Sequence, residues 1–213
     1  MAVDAFNARL PPDSFSRLAV ETVIPEPFVG AVLTAPVVVL QLNPGFDPRG
    51  DPRAHAESMF RRALLANLRH ERREWPFYFL EPTFRDSTPG GLWWQSKVRK
   101  LIDEVGPECV AERVAVVEWF PYKSTKYRRG CVVSSQRYGF GLVSSAIARD
   151  ALIVISRSVA LWESSVPSLR SYPRKLTLSS NQNVALSPNN LKHRDRKTAV
   201  AWSMLTDALR QMA

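Results

Sequence analysis

Cysteine is scarce: Cys109 and Cys131 are the two in 213 residues. Two thiols are too few for a disulfide framework or a four-thiolate iron–sulfur cluster. Both read as small buried apolar residues in a reducing compartment. No apolar run approaches the roughly 20 residues that cross a bilayer. The opening Met1-Ala2-Val3-Asp4-Ala5-Phe6 lacks the basic and apolar regions of a secretory leader, so a cytoplasmic protein without membrane contact is expected. His55, His70 and His193 show no metal-ligand spacing, and neither a metal nor another cofactor is expected. Gly-x-Ser-x-Gly, P-loop and Gly-x-Gly-x-x-Gly fingerprints are absent, as are repeats, low-complexity tracts and linkers. Negative charge is short, with 20 Asp plus Glu against 29 Lys plus Arg, a net +9 and a pI near 10.0. That surplus favours polyanionic partners, nucleic acid among them, although solubility alone also accounts for it.

Hydrophobic residues at 45% and charged residues at 23% are ordinary for a soluble globular chain, and the length suits one domain over 1–213 with a substantial core. Pro11, Pro12, Pro25, Pro27 and Pro36 make residues 1–36 a wrap around that core, with one short helix near 14–19. Strands are predicted at 37–42, 113–119, 151–156, 176–179 and 184–186 from apolar, β-branched runs. Helices are predicted at 55–73, 92–105, 134–149, 158–164 and 195–212 from apolar stripes such as Met59, Leu64, Leu65 and Leu68. Residues 75–80 form a compact aromatic segment. Strands alternating with helices predict a three-layer α/β/α sandwich around a mainly parallel sheet.

The most informative stretch is Val37-Val38-Val39-Leu40-Gln41-Leu42-Asn43-Pro44-Gly45-Phe46. An apolar run reads as a buried parallel strand, and Pro44 and Gly45 turn the chain as it leaves the sheet. Asn43 thus lies at the strand's carboxyl end, where open α/β sheets bind ligands; the plain alternative is a strand followed by an Asn-Pro turn. Two more loops at that edge carry polar chemistry: Glu118-Trp119-Phe120-Pro121-Tyr122 and Ser187-Pro188-Asn189-Asn190-Leu191. Lys123, Lys126, Arg128 and Arg129 follow the first, and Lys192, His193, Arg194, Arg196 and Lys197 the second. Together they predict a cationic rim around a polar pocket with aromatic walls, which suits one extruded nucleotide.

The run Leu40-Gln41-Leu42-Asn43-Pro44-Gly45 resembles the first motif of the uracil-DNA glycosylase superfamily, in the Asn-Pro-Gly form of its mismatch-specific and single-strand-selective branches. Ser187-Pro188-Asn189-Asn190-Leu191 resembles its closing x-Pro-Ser loop, and Glu118-Trp119-Phe120-Pro121 falls in order for its middle segment. The resemblance spans about residues 37–210 as an ordered arrangement carried by short motifs. It implies that fold, and hydrolysis of the N-glycosidic bond of a modified or mismatched base in single- or double-stranded DNA by a monomer. Asn43 would orient the attacking water; a neutral amide cannot accept its proton. Gly45 would leave room where strict uracil enzymes place a Tyr. Phe46 or Phe79 would stack on the base, and the alternative for Phe79 is core packing. Asn189 would contact the base or its phosphate, with Asn190 beside it. Leu191 would be an intercalating wedge or an anchor for the following helix.

Two departures bear on chemistry. Glu118 stands where many members place an Asn that reads the pyrimidine edge. A carboxylate there favours an amino-bearing edge over uracil, unless it is paired with an Arg. Ser187 stands where a His often assists the departing base, and it offers no positive charge; His193 is a nearby substitute or a surface residue. A non-catalytic nucleic-acid-binding protein of the same fold is therefore the rival expectation. An enzyme acting on a free nucleotide or other small anion is the third.

Overall fold

Five consecutive residues, Val37–Gln41, are all buried and form the middle of a six-stranded mixed sheet. The computed structural model describes residues 2–180, 182–193 and 198–211. The strands are β1 (Phe28–Val29), β2 (Val37–Gln41), β3 (Val114–Glu118), β4 (Leu152–Ile155), β5 (Lys175–Leu178) and β6 (Leu191–His193), in spatial order β1-β3-β2-β4-β5-β6. β3, β2, β4 and β5 are parallel, and the two outer strands run antiparallel to their neighbours. The helices are α1 (Ala2–Asn7), α2 (Asp51–Ala56), α3 (Ser58–Leu68), α4 (Pro82–Arg85), α5 (Pro89–Val105), α6 (Pro107–Arg113), α7 (Gln136–Ala148), α8 (Val159–Ser165) and α9 (Thr198–Arg210).

Alternation along the strands divides the core. Val37 and Val39 pack with Phe60 and Leu64 of α3, Val98 and Leu101 of α5, and Leu205 of α9. Val38 and Leu40 face the other way, onto Leu142, Val143 and Ala146 of α7 and Trp162 of α8. Each such fully buried side chain contributes about 1.5–3 kcal/mol relative to exposure. That reward on both faces explains why the run lacks polar alternation. A third cluster joins Val3, Phe6, Leu10 and Leu18 of the N-terminal wrap to Phe120, Cys131 and Val133.

Several predicted boundaries shift, each for a local reason. The helix expected from 55 to 73 is two helices, because Pro52 starts α2 four residues earlier and extended Glu57 separates it from α3. α5 begins at Pro89 rather than 92, since Thr88 caps it by accepting from Gly91 N at 3.0 Å. No helix forms at 14–19: Phe15 O accepts from Lys126 N at 2.8 Å and Ala19 N donates to Lys123 O at 2.9 Å, so these backbone groups serve another loop. Residues 184–186 are not a strand either. Ala185 O accepts from the Asn190 side chain at 2.8 Å and Leu186 N donates to Lys97 O at 2.8 Å. The last strand is instead Leu191–His193. Of the helix expected at 195–212, Thr198–Arg210 is observed; residues 194–197 and 212 lie outside the described residues. No helix among the described residues is long and apolar enough to cross a membrane.

Candidate functional site at the carboxyl edge of the sheet

Parallel pairing brings Gln41, Glu118, Ile155 and Leu178 to one edge of the sheet. The loops at 42–50, 119–124 and 179–190 therefore leave it on the same side. β5 lies two strands from β2, about 10 Å at the usual interstrand spacing.

The first two loops are docked to each other. Beyond the strands, Trp119 N donates to Gln41 O at 3.2 Å and Phe120 N to Leu42 O at 2.9 Å. Gly45 and Ser124 form an isolated parallel bridge, and Thr125 Oγ1 donates to Phe46 O at 3.2 Å. Half-buried Asn43 uses its Nδ2 to donate to Ser124 Oγ at 3.2 Å and to Pro44 O at 3.1 Å. Its Oδ1 accepts no hydrogen bond among the described residues, which leaves the acceptor end of the amide for a ligand. Gly45 is exposed, and a Cβ built on it meets nothing within 4 Å. It lies outside the left-handed region, so Pro44 and the bridge to Ser124 shape the turn, and the glycine's contribution is open space.

Beneath this turn lies a buried ionic cluster that sequence reasoning missed. Lys123, expected on the cationic rim, is 4% exposed. Its Nζ sits 3.1 Å from Glu26 Oε1 and 3.5 Å from Asp51 Oδ1, and donates to Gly45 O at 3.3 Å. Asp51 Oδ2 accepts from Asp47 N at 2.7 Å, which ties the end of the same loop to the cluster. His55 Nδ1 accepts from Ile24 N at 3.1 Å, so the ring proton resides on Nε2, which faces Glu26 Oε1 at 3.3 Å. The Lys123 contact is an ion pair, and His55 Nε2 faces the same carboxylate oxygen without the alignment of a good hydrogen bond. Burial weakens the charged form of Lys123, but Glu26 and Asp51 outweigh it and raise its pKa. Burial likewise pushes Glu26 up, and Lys123 and His55 bring it below its ordinary value. For Asp51 burial prevails and the pKa rises. No signal in the sequence joins residues 26, 51, 55 and 123, since Glu26 comes from the N-terminal wrap; Lys123 next to a strand-ending Pro121 is the nearest hint.

Glu118 is 8% exposed, and its pKa is pushed well above the ordinary 4.5, first by burial and then by the Glu26 charge. Its Oε2 is buried without a hydrogen-bond partner. Gln41, its register partner one strand over, leaves Nε2 buried and unpartnered as well. That shift favours the protonated form of Glu118, in which one O–H donor stands beside one carbonyl acceptor. The protonated form matches an edge bearing adjacent N–H and C=O groups, whereas the ionised form matches an amino-bearing edge. Among the described residues no Arg forms a salt bridge or hydrogen bond with it, although the charges of Lys123 and Arg157 partly oppose the rise.

The third loop is held by Asn190, whose Nδ2 donates to Asn183 O at 2.7 Å and Ala185 O at 2.8 Å while Oδ1 accepts from Ser180 N at 3.1 Å. Asn190 is buried structural scaffolding and not a surface contact. Ser187 is half-buried and Asn189 exposed. Leu191 is fully buried on β6 and packs in the core with α9, which is the anchoring alternative, since a wedge must stand in solvent. Phe79 is 3% exposed, packs against Phe60 and Tyr78, and closes on Gly90 so tightly that a Cβ there meets its ring at 2.2 Å. It is core, and half-buried Phe46 is the aromatic that stays at the edge.

The cationic groups divide. Lys126, Arg128 and Arg129 are exposed beside the second loop. Lys192 is exposed on β6, but that strand runs antiparallel to β5, so the chain leaves the rim; His193 Nε2 lies 3.0 Å from Pro173 O, near the opposite edge. Arg194, Arg196 and Lys197 lie outside the described residues. A cleft of about 1230 Å³ opens at the amino edge, among Gly30, Pro36, Arg113, Ala151 and Arg174. Five arginines and five carboxylates line it, so it offers no excess charge to a polyanion. Both cysteines are free thiols. Among the described residues no group of three or more His, Cys, Asp or Glu side chains is placed to hold a metal ion. Comparison with known proteins finds no matching family model, no matching curated protein and no matching solved structure.

Proposed function

We propose that the protein is a DNA N-glycosylase with a three-layer α/β/α fold of uracil-DNA glycosylase type. The observation that carries this reading is the turn of Asn43, locked to the loop after Glu118 at the carboxyl edge, with its amide acceptor unused above the open space at Gly45. A water donating to Asn43 Oδ1 is held for attack on C1′ of the sugar. The C1′–N bond breaks, a C1′–O bond forms, and the water's proton passes to solvent, because an amide does not accept it. Catalysis then rests on water placement and on stabilising the departing base anion. Glu118 frames the base; its protonated form, which burial favours, accepts from an N–H and donates to a neighbouring carbonyl, a pattern shared by uracil, thymine, hypoxanthine and xanthine. Exposed Lys126, Arg128 and Arg129 hold phosphates. The reading entails a cytoplasmic monomer acting on DNA.

The test incubates the protein with single-stranded and duplex oligonucleotides bearing uracil, hypoxanthine, xanthine or a thymine mismatch, followed by alkaline cleavage of abasic sites. Cleavage by the native chain that is lost in Asn43→Ala supports the reading. No cleavage on any substrate, with salt-sensitive binding retained, leaves a DNA-binding protein of the same fold. The absence of a catalytic cation at Ser187 is what favours that second reading.

A further inference from the structure

Phe15 is 71% exposed, against a core that buries nearly every other phenylalanine of the chain. It does not sit on a loose tail. Its carbonyl accepts from Lys126 N at 2.8 Å, and four residues on, Ala19 N donates to Lys123 O at 2.9 Å. Two backbone hydrogen bonds therefore lay residues 15–19 along the loop that also carries Ser124 and Thr125, the partners of Asn43 and Phe46. Leu18 anchors the segment in the cluster with Phe120 and Cys131, and Arg17 stiffens it by donating to Asn7 O at 2.8 Å and Leu10 O at 3.2 Å. An aromatic ring is thus presented to solvent from a fixed backbone bonded to the loop that holds Asn43 and Phe46.

The segment that carries it and the loop bonded to it are rich in cations. Arg9, Lys126, Arg128 and Arg129 are exposed on segments 8–19 and 124–130, where Asp13 is the single carboxylate. A protein-binding patch gathers apolar neighbours and is poor in charge at its centre. Val132, just beyond the second segment, is the other exposed large apolar side chain here; an exposed ring among cations is an arrangement that binds a nucleic-acid strand, in which the charges track phosphates and the ring stacks on a base. We propose that Phe15 is a stacking residue for nucleic acid, placed beside the site to hold a base next to the one drawn into it. The inference rests on the nucleic-acid part of the function proposed above and replaces core-buried Leu191 with a residue from the N-terminal wrap.

Stacking and charge are separable by salt. Binding of single-stranded and duplex oligonucleotides is measured by fluorescence anisotropy from 50 to 300 mM salt, these being about the concentrations over which phosphate contacts weaken. Phe15→Ala is expected to weaken binding about tenfold, as loss of one base–aromatic stack does, with the slope of log K against log salt unchanged. Phe15→Trp is expected to retain native affinity. Lys126→Ala is expected to lower the slope by about 0.7 to 0.9. Native affinity in Phe15→Ala overturns the stacking role. Absence of nucleic-acid binding by the native chain overturns both this inference and the proposed function, whereas base release by the native chain with unchanged binding in Phe15→Ala overturns this one alone. Because the ring is exposed, circular dichroism of the variants is expected to match the native chain.

Discussion

Lys123 Nζ lies 3.1 Å from Glu26 Oε1 with both side chains at most 4% exposed, and the same ammonium holds the carbonyl of Gly45. Removing one partner of a buried ion pair strands the other as an uncompensated charge in a low-dielectric interior. Lys123→Met leaves Glu26 and Asp51 without their cation and is expected to cost about 3–5 kcal/mol in urea denaturation. Adding Glu26→Gln to that variant is expected to restore part of the loss. A single variant with native stability removes the clamp from the account of the turn.

Glu118 adds a pH dependence of defined sign. Burial and Glu26 hold its carboxyl above the ordinary 4.5, so the folded chain keeps a proton that the unfolded chain gives up. The stability this group contributes is complete below about pH 4.5 and falls as the pH rises toward the folded value. Glu118→Gln is expected to match the native melting temperature at pH 4 and to exceed it at pH 8. Equal melting temperatures at both pH values identify Glu118 as an ordinary carboxylate.

Leu191 separates anchoring from wedging. Removing its side chain from a fully buried position is expected to destabilise the fold by about 2–5 kcal/mol, while DNA affinity of the folded Leu191→Ala protein stays native. A loss of affinity without a loss of stability reverses the assignment.

Asn190 makes three side-chain hydrogen bonds, to Ser180, Asn183 and Ala185, that shape the third loop. At about 0.5–1.5 kcal/mol each, Asn190→Ala is expected to cost about 2–4 kcal/mol, and to raise amide exchange at Ser180, whose N–H loses its acceptor. Native protection at Ser180 shows that the loop is held by other means.

The sequence alone determined the central sheet and the place of Asn43. An unbroken β-branched run is rewarded only where both faces are covered, and a proline after it must end the ladder, so strand and turn were local consequences of composition. The glycine at 45 was legible as a missing side chain, although the turn does not use its freedom of φ. The strand expected at 184–186 and the helix at 14–19 failed because their backbone groups bond to Asn190, Lys97, Lys123 and Lys126, partners that no local pattern contains. Burial decided the rest. Lys123 and Glu118 read as a rim cation and a reading carboxylate, and the tertiary structure enclosed both, pairing one with Glu26 and Asp51 and shifting the other toward its protonated form. Charge written in a sequence is formal; its effect depends on which other charges the fold brings within a few ångströms and on how much water remains, and those are set by segments far apart in the chain.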